Sequence, residues 1–199
     1  MTRRIIMAML AAGIAVAQPA SGQTATAPTG FILEKDGLWL HEASGIEFPA
    51  RAGGFVRDFE TTLDENGRTV VISYRKTLKG EPVIARIALF QLIGLTPAQH
   101  FAALRSMVGS YFRDVTFSDV TLAGEGPFDP PRLAPGSGYQ GRFHGRLGDI
   151  PYELSLSTIR YGSWDARLTA AYPASQSAYA RKRILELVED IRLPKRPKR

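Results

Sequence analysis

The 199 residues include three histidines, His41, His100 and His144, and no cysteine. Without a thiol there is no disulfide, no thiolate metal site, no thiol redox couple and no cysteine nucleophile. The histidines fall on three separate segments. His41-Glu42 continues as Ala43-Ser44-Gly45, which is not the His-Glu-x-x-His of a helical zinc site. All three are read as scattered surface residues, and no metal is expected. Pro135-Gly136-Ser137-Gly138 has the look of a serine site, but no strand precedes it and no helix follows, so it reads as a loop. Asp64-x-Asn66 opens like a calcium loop, but the spaced oxygen ligands and the closing glutamate are missing, and Asn66-Gly67 is a turn signal. Neither Gly-x-x-x-x-Gly-Lys-Ser/Thr nor Gly-x-Gly-x-x-Gly occurs, so no phosphate-cradling loop and no cofactor are expected.

Two further groupings remain. Asp149 and Glu153 can be drawn as an acid–base pair, yet Glu153 alternates with Tyr152 and Leu154, which places it on a solvated strand face. Trp39, Phe55, Phe59, Phe90, Phe101, Phe112, Phe143 and Trp164 are read as core. Residues 124–138 are rich in glycine and proline, and loops of that length in a compact domain are often functional. Tyr139, Phe143 and Tyr161 flank this segment and are the candidate exposed binding residues.

The elements that must position these groups follow from periodicity. Residues 38–40 and 46–48 are short strand candidates around Ser44-Gly45. Residues 55–63 and 68–75 alternate about the Asn66-Gly67 turn and form the clearest hairpin. After a turn at 78–82, residues 83–93 are apolar on both faces, as in a central strand covered on both sides. Thr96-Pro97-Ala98-Gln99 is a capping box with proline at the first helical position, and Phe101, Leu104, Val108 and Phe112 follow at helical spacing. Strands are expected at 115–122, 138–147, 150–160 and 164–172. A last helix starts near Ser175 as N-cap, with Ala180, Ile184, Leu187, Val188 and Ile191 as its apolar stripe.

The chain opens with Arg3-Arg4, a 13-residue apolar or glycine run at 5–17, and small residues up to Gln23. That is the layout of a secretory signal peptide, with residues 1–22 removed, and the run is short for a membrane span. Residues 23–30 read as a flexible linker, 31–193 as a single domain and 194–199 as a basic disordered tail. The net charge of +6 lies at the two ends. Setting aside Arg3, Arg4, Lys195, Arg196, Lys198 and Arg199 leaves 19 basic against 19 acidic residues. A body without a basic surplus does not fit a nucleic-acid partner, though the tail can make weak contact with an anionic surface.

Strands, helix, strands, helix with short hairpin links give an α+β class with a mostly antiparallel sheet and helices packed on its faces. The opening Leu38-Trp39-Leu40 and Phe48-Pro49 unit, this element order, and the segment 162–173 ending in Tyr172-Pro173 resemble the PsbP-like α/β/α sandwich of small exported bacterial proteins. Members of that fold bind partner proteins or have no known role, so the resemblance carries no catalytic residue. The expected function is therefore that of a periplasmic or secreted, non-enzymatic domain that binds an envelope protein or a small ligand. The alternatives are an enzyme with a site near 124–138, such as a hydrolase, and an envelope accessory factor that docks on anionic lipid through its tail.

Overall fold

The computed structural model describes residues 28–91, 94–112, 115–130 and 132–192. The expected signal peptide, most of the linker and the basic tail lie outside these residues. Eleven strands are present among the described residues: β1 (Phe31–Leu33), β2 (Trp39–His41), β3 (Ile46–Phe48), β4 (Arg51–Ala52), β5 (Phe55–Thr62), β6 (Val70–Leu78), β7 (Glu81–Phe90), β8 (Ser118–Phe128), β9 (Gly138–Leu147), β10 (Ile150–Tyr161) and β11 (Trp164–Pro173). The helices are α1 (Pro97–Leu104), extended by a 3-10 segment at Arg105–Tyr111, and α2 (Ser177–Asp190).

The eight longer-range strands form one sheet in the order β4-β5-β6-β7-β11-β10-β9-β8, and every pairing in it is antiparallel. β1–β3 make a small separate sheet. β7 lies inside the large sheet, and its two apolar faces are both used. Val83, Ala85, Ile87 and Leu89 join the core on the α2 side, and Ile84 joins the core on the α1 side. The α2-side core also takes Trp39 and Phe48 from the small sheet and Ala180, Ile184 and Leu187 from α2. The α1-side core holds Phe101, Val108 and Phe112 against Phe143, Leu154 and Leu156. The fold is thus α+β, an antiparallel sheet covered on both faces.

Two glycines allow this layering. At Gly141 on β9 a Cβ would lie 2.3 Å from the Phe101 ring, so the missing side chain is what lets α1 seat its phenylalanine on the sheet. Gly53 has φ +56°, and a Cβ there would lie 2.5 Å from the Arg183 carbonyl and 2.6 Å from the Leu187 nitrogen of α2. The Gly53 N–H donates to Asp190 Oδ2 at 2.7 Å, which fixes the end of α2 to the β4–β5 turn.

The structure corrects several expectations. Gly124 through Phe128 are not loop. They pair with β9 as the end of β8, so the connecting segment is only 129–137. β8 is an edge strand, where a residue lacking an N–H such as Pro127 is tolerated on the unpaired side. The same strand begins at Ser118 rather than 115. The capping box at Thr96 is formed as expected, but α-helix ends at Leu104 and tightens into 3-10 geometry over a stretch containing Ser106, Gly109 and Ser110, which are weak helix formers. Ser175 does not cap α2. It lies in a 3-10 turn (Ala174–Gln176), and no side chain caps the helix that follows.

Candidate functional site

Side chains on β10 alternate between the two faces. Tyr152, Leu154 and Leu156 enter the α1-side core. Glu153, Ser155 and Ser157 take the opposite face and are also buried, at 8%, 5% and 0% exposure. On β9, His144, Arg142 and Gln140 stand directly across from these three. The result is a polar strip on the α2 side of the sheet. It exists because α2 places its apolar stripe over β11 and the strands beyond, and so leaves the β8–β10 end of this face uncovered by a helix.

A pocket of about 140 Å³ lies between this strip and α2. Gln140, Arg142, Ser155 and Tyr172 supply its polar lining, and Ile184 and Leu185 an apolar wall. Leu168 and Val188 line this pocket and also a neighbouring apolar cavity of about 60 Å³. That cavity reaches Tyr161 and Trp164 on the sheet, with Pro130 and Leu133 of the 129–137 segment on its other side. Polar and apolar compartments therefore meet at two shared residues.

Hydrogen bonds order the polar compartment. The Tyr172 hydroxyl donates to Glu153 Oε1 at 2.6 Å. Burial, together with this carboxylate, pushes the Tyr172 phenol far above its ordinary range, so it stays protonated as a donor. Arg181 of α2 faces the same carboxylate at 3.8 Å, and Gln140 Nε2 donates to Ser157 Oγ at 2.9 Å. Arg181 and Arg142 line the same pocket as Tyr172, and both act electrostatically on its phenol. No carboxylate among the described residues ion-pairs Arg142, which is exposed. With one carboxylate and two guanidinium groups, the pocket carries a positive balance.

The residues expected to form a binding surface do not share one. Phe143 (3% exposed) is core on the α1 side, and half-buried Tyr139 packs there on Phe101 at 5.2 Å between ring centres. Tyr161 (8% exposed) is on the other face, in the wall of the apolar cavity. Phe143 is inside because α1 and the 3-10 segment cover its face of β9, and Tyr161 because Pro130 and Leu133 lie across the cavity from it. Glu153 is likewise buried, not solvated. Asp149 sits exposed at the hairpin tip, four residues or about 13 Å along the strand, so the two carboxylates form no pair.

Two of the histidines are buried rather than on the surface. His41 Nε2 donates to the Gly67 carbonyl at 2.8 Å, which leaves Nδ1 to accept from the Ser44 hydroxyl at 2.7 Å. The pairing has the form of a nucleophile and its base. Both residues are fully buried, however, and Ser44 Oγ also accepts from the Ile46 N–H, so the group clips the small sheet to the 64–67 turn. His100 is buried under α1, edge-on to Phe90. His144 alone is exposed. Among the described residues no group of three metal-ligating side chains gathers.

On the other face, a wide groove of about 860 Å³ runs between the 3-10 segment and β8, lined by Met107, Phe112, Phe117 and Leu122 among others. It lacks a convergent set of buried polar groups. Such groups fix a ligand's orientation in a concave site. Among the described residues they gather beside α2 and, on the α1 side, in a smaller pocket of about 200 Å³ where Arg86, Arg167 and Thr169 stand against Tyr111; of these two, only the pocket beside α2 adjoins an apolar cavity that shares its lining.

No known family profile matches the sequence, and no curated protein does. Solved structures with a similar course of the chain include PA94 of Pseudomonas aeruginosa, a protein of unknown function (9% identity, TM-score 0.44, 64% of this chain and 84% of that one). Another is the Ran-binding protein Mog1p of Saccharomyces cerevisiae (11% identity, TM-score 0.39, 70% and 96%). A third is LpqN of Mycobacterium tuberculosis, involved in cell envelope biogenesis (14% identity, TM-score 0.42, 76% and 84%). All three scores lie below 0.5, and no conclusion about this chain's activity follows from them.

Proposed function

We propose that this chain is an exported, non-enzymatic binding domain whose small ligand sits between α2 and the polar strip of β9 and β10. The observation that carries the reading is the buried polar strip itself. Burying Glu153, Ser155 and Ser157 on a sheet opposes stability unless their hydrogen bonds are made, and a fold selected for stability alone would place apolar residues there. A site that orients a ligand needs such groups. The His41–Ser44 pair is sealed from solvent and Asp149 stands apart from Glu153, so neither grouping supplies a catalytic pair. Export is supported by the layout of residues 1–22, and no helix among the described residues is long and apolar enough to cross a membrane. The two-faced sandwich and the Tyr172-Pro173 strand end support the PsbP-like resemblance.

The test is a thermal-shift series with fractionated small molecules from envelope extracts, on the wild-type chain and on Ser155→Phe, which fills the pocket floor. Active fractions should raise the melting temperature of the wild type and leave the filled variant unmoved, since a ligand that binds only the native state stabilises it by mass action. Equal shifts in both proteins would place the ligand elsewhere.

A further inference from the structure

Resting on that reading, we infer that the ligand is an anionic amphiphile, a single alkyl chain with a carboxylate or phosphate head. Two independent observations define it. Arg142 is an exposed guanidinium with no ion pair among the described residues, and it lines the polar pocket beside Arg181. A planar fork of donors of this kind takes a carboxylate or phosphate in two parallel bonds. Arg181 is already directed at Glu153, so Arg142 is the cation that remains for an incoming anion. The apolar cavity supplies the second half. It adjoins the same pocket at Leu168 and Val188 and offers a wall of Ile159, Tyr161 and Trp164.

The spacing fits one molecule. Arg142 is registered against Ser155, and Ile159 in the cavity wall is four residues farther along β10, about 13 Å at the usual strand rise. A polar ligand of that length would strand its far end against apolar side chains. An alkane would leave Arg142 unmatched. The cavity's 60 Å³ accommodates several heavy atoms, given that about 10–15 Å³ suffices for one water. A medium alkyl chain with an anionic head satisfies both ends, with its middle carbons passing between Leu168 and Val188.

The experiment is calorimetric titration of the purified chain with decanoate, decyl phosphate, decyl maltoside and acetate, repeated on Arg142→Ala and Ala166→Phe. Ala166 lines the cavity, so its enlargement blocks the tail, while Arg142→Ala removes no ion pair within the protein. Decanoate or decyl phosphate should bind, acetate should not, and decyl maltoside should bind more weakly. Arg142→Ala should weaken the anionic compounds about tenfold, or about 1.4 kcal/mol, and leave decyl maltoside unchanged. Ala166→Phe should weaken all three alkyl compounds. Tighter binding of decanoate assigns a fatty acid as the source, and tighter binding of decyl phosphate a phosphate-headed lipid. If decyl maltoside binds as tightly as the anions, or if Arg142→Ala leaves their affinity unchanged, the anionic head is wrong while the binding site stands. If no alkyl compound binds, yet Ser155→Phe still abolishes the thermal shift with extract, the amphiphile is wrong and the pocket is right.

Discussion

Tyr172→Phe deletes a single oxygen and tests whether the buried polar strip is held together as described. That oxygen donates at 2.6 Å to Glu153, a buried residue. A hydrogen bond to a charged group contributes about 1.5–3 kcal/mol, and leaving the buried acceptor unmatched adds to its loss. Two features moderate the effect. Arg181 stays opposite Glu153 at 3.8 Å, and the pocket on this side can admit water. The lower part of the range therefore applies, about 1.5–2 kcal/mol. In a domain of this size each kcal/mol moves the melting temperature by about 2–4 °C, so a fall of about 3–8 °C is expected. Urea denaturation should show a lower midpoint with an unchanged slope, the signature of lost stability without a change in exposed area. A cycle with Glu153→Gln and the double variant isolates the pair, and contacting groups of this kind couple by about 0.5–3 kcal/mol. A melting temperature within 1 °C of wild type, or strictly additive single variants, would refute the network.

Gly53→Ala should be among the most damaging turn substitutions, losing about 2–5 kcal/mol in denaturant unfolding, because it strains a left-handed residue and drives a methyl into the α2 backbone. Arg142→Ala should leave the melting temperature nearly unchanged, within the usual ±0.5 kcal/mol of surface changes, and a large loss would mean that Arg142 has a structural partner. Stability should also fall in mild acid. Burial holds both His41 and His100 below the ordinary histidine value of 6.5, with Asp165 opposing that effect at His100 and Arg167 and Arg160 adding to it. The unfolded chain then binds more protons, so the contribution of each is fully present above pH 6.5 and is lost as the pH falls from there through its lowered value. Melting temperatures across pH 8 to 5 should show this decline, and His100→Leu should flatten part of it. An unchanged slope in that variant would show that His100 does not take part.

Local signals located the elements well. The capping box at Thr96, the Asn66-Gly67 turn and the two-faced run in β7 each follow from chemistry within a few residues, and each is formed. The end of β8 was harder to read, because glycine and proline break strands in general yet are tolerated on an edge, and which strand is an edge is a property of the assembled sheet. The polar alternation of Glu153, Ser155 and Ser157, facing Gln140, Arg142 and His144 across a hairpin, was visible in the sequence. Alternation alone reads as a solvated face. Only the position of α2, over β11 rather than β10, turns that face into a pocket floor. The aromatic residues near 124–138 stand out by type, but a ring on a face that another element covers serves the core. His41 and His100 were misplaced for the same reason: a histidine's burial depends on partners such as Gly67, 26 residues away.

The most direct test of the binding site is amide chemical-shift mapping of the ¹⁵N-labelled chain with an extract fraction that raises its melting temperature. The account predicts that the perturbed amides cluster at Gln140, Arg142, Ser155 and Tyr172, and along α2 from Arg181 to Val188, with α1 and the 3-10 segment unmoved. Shifts concentrated instead at Met107, Phe117 and Leu122, in the wide groove on the opposite face, would contradict it.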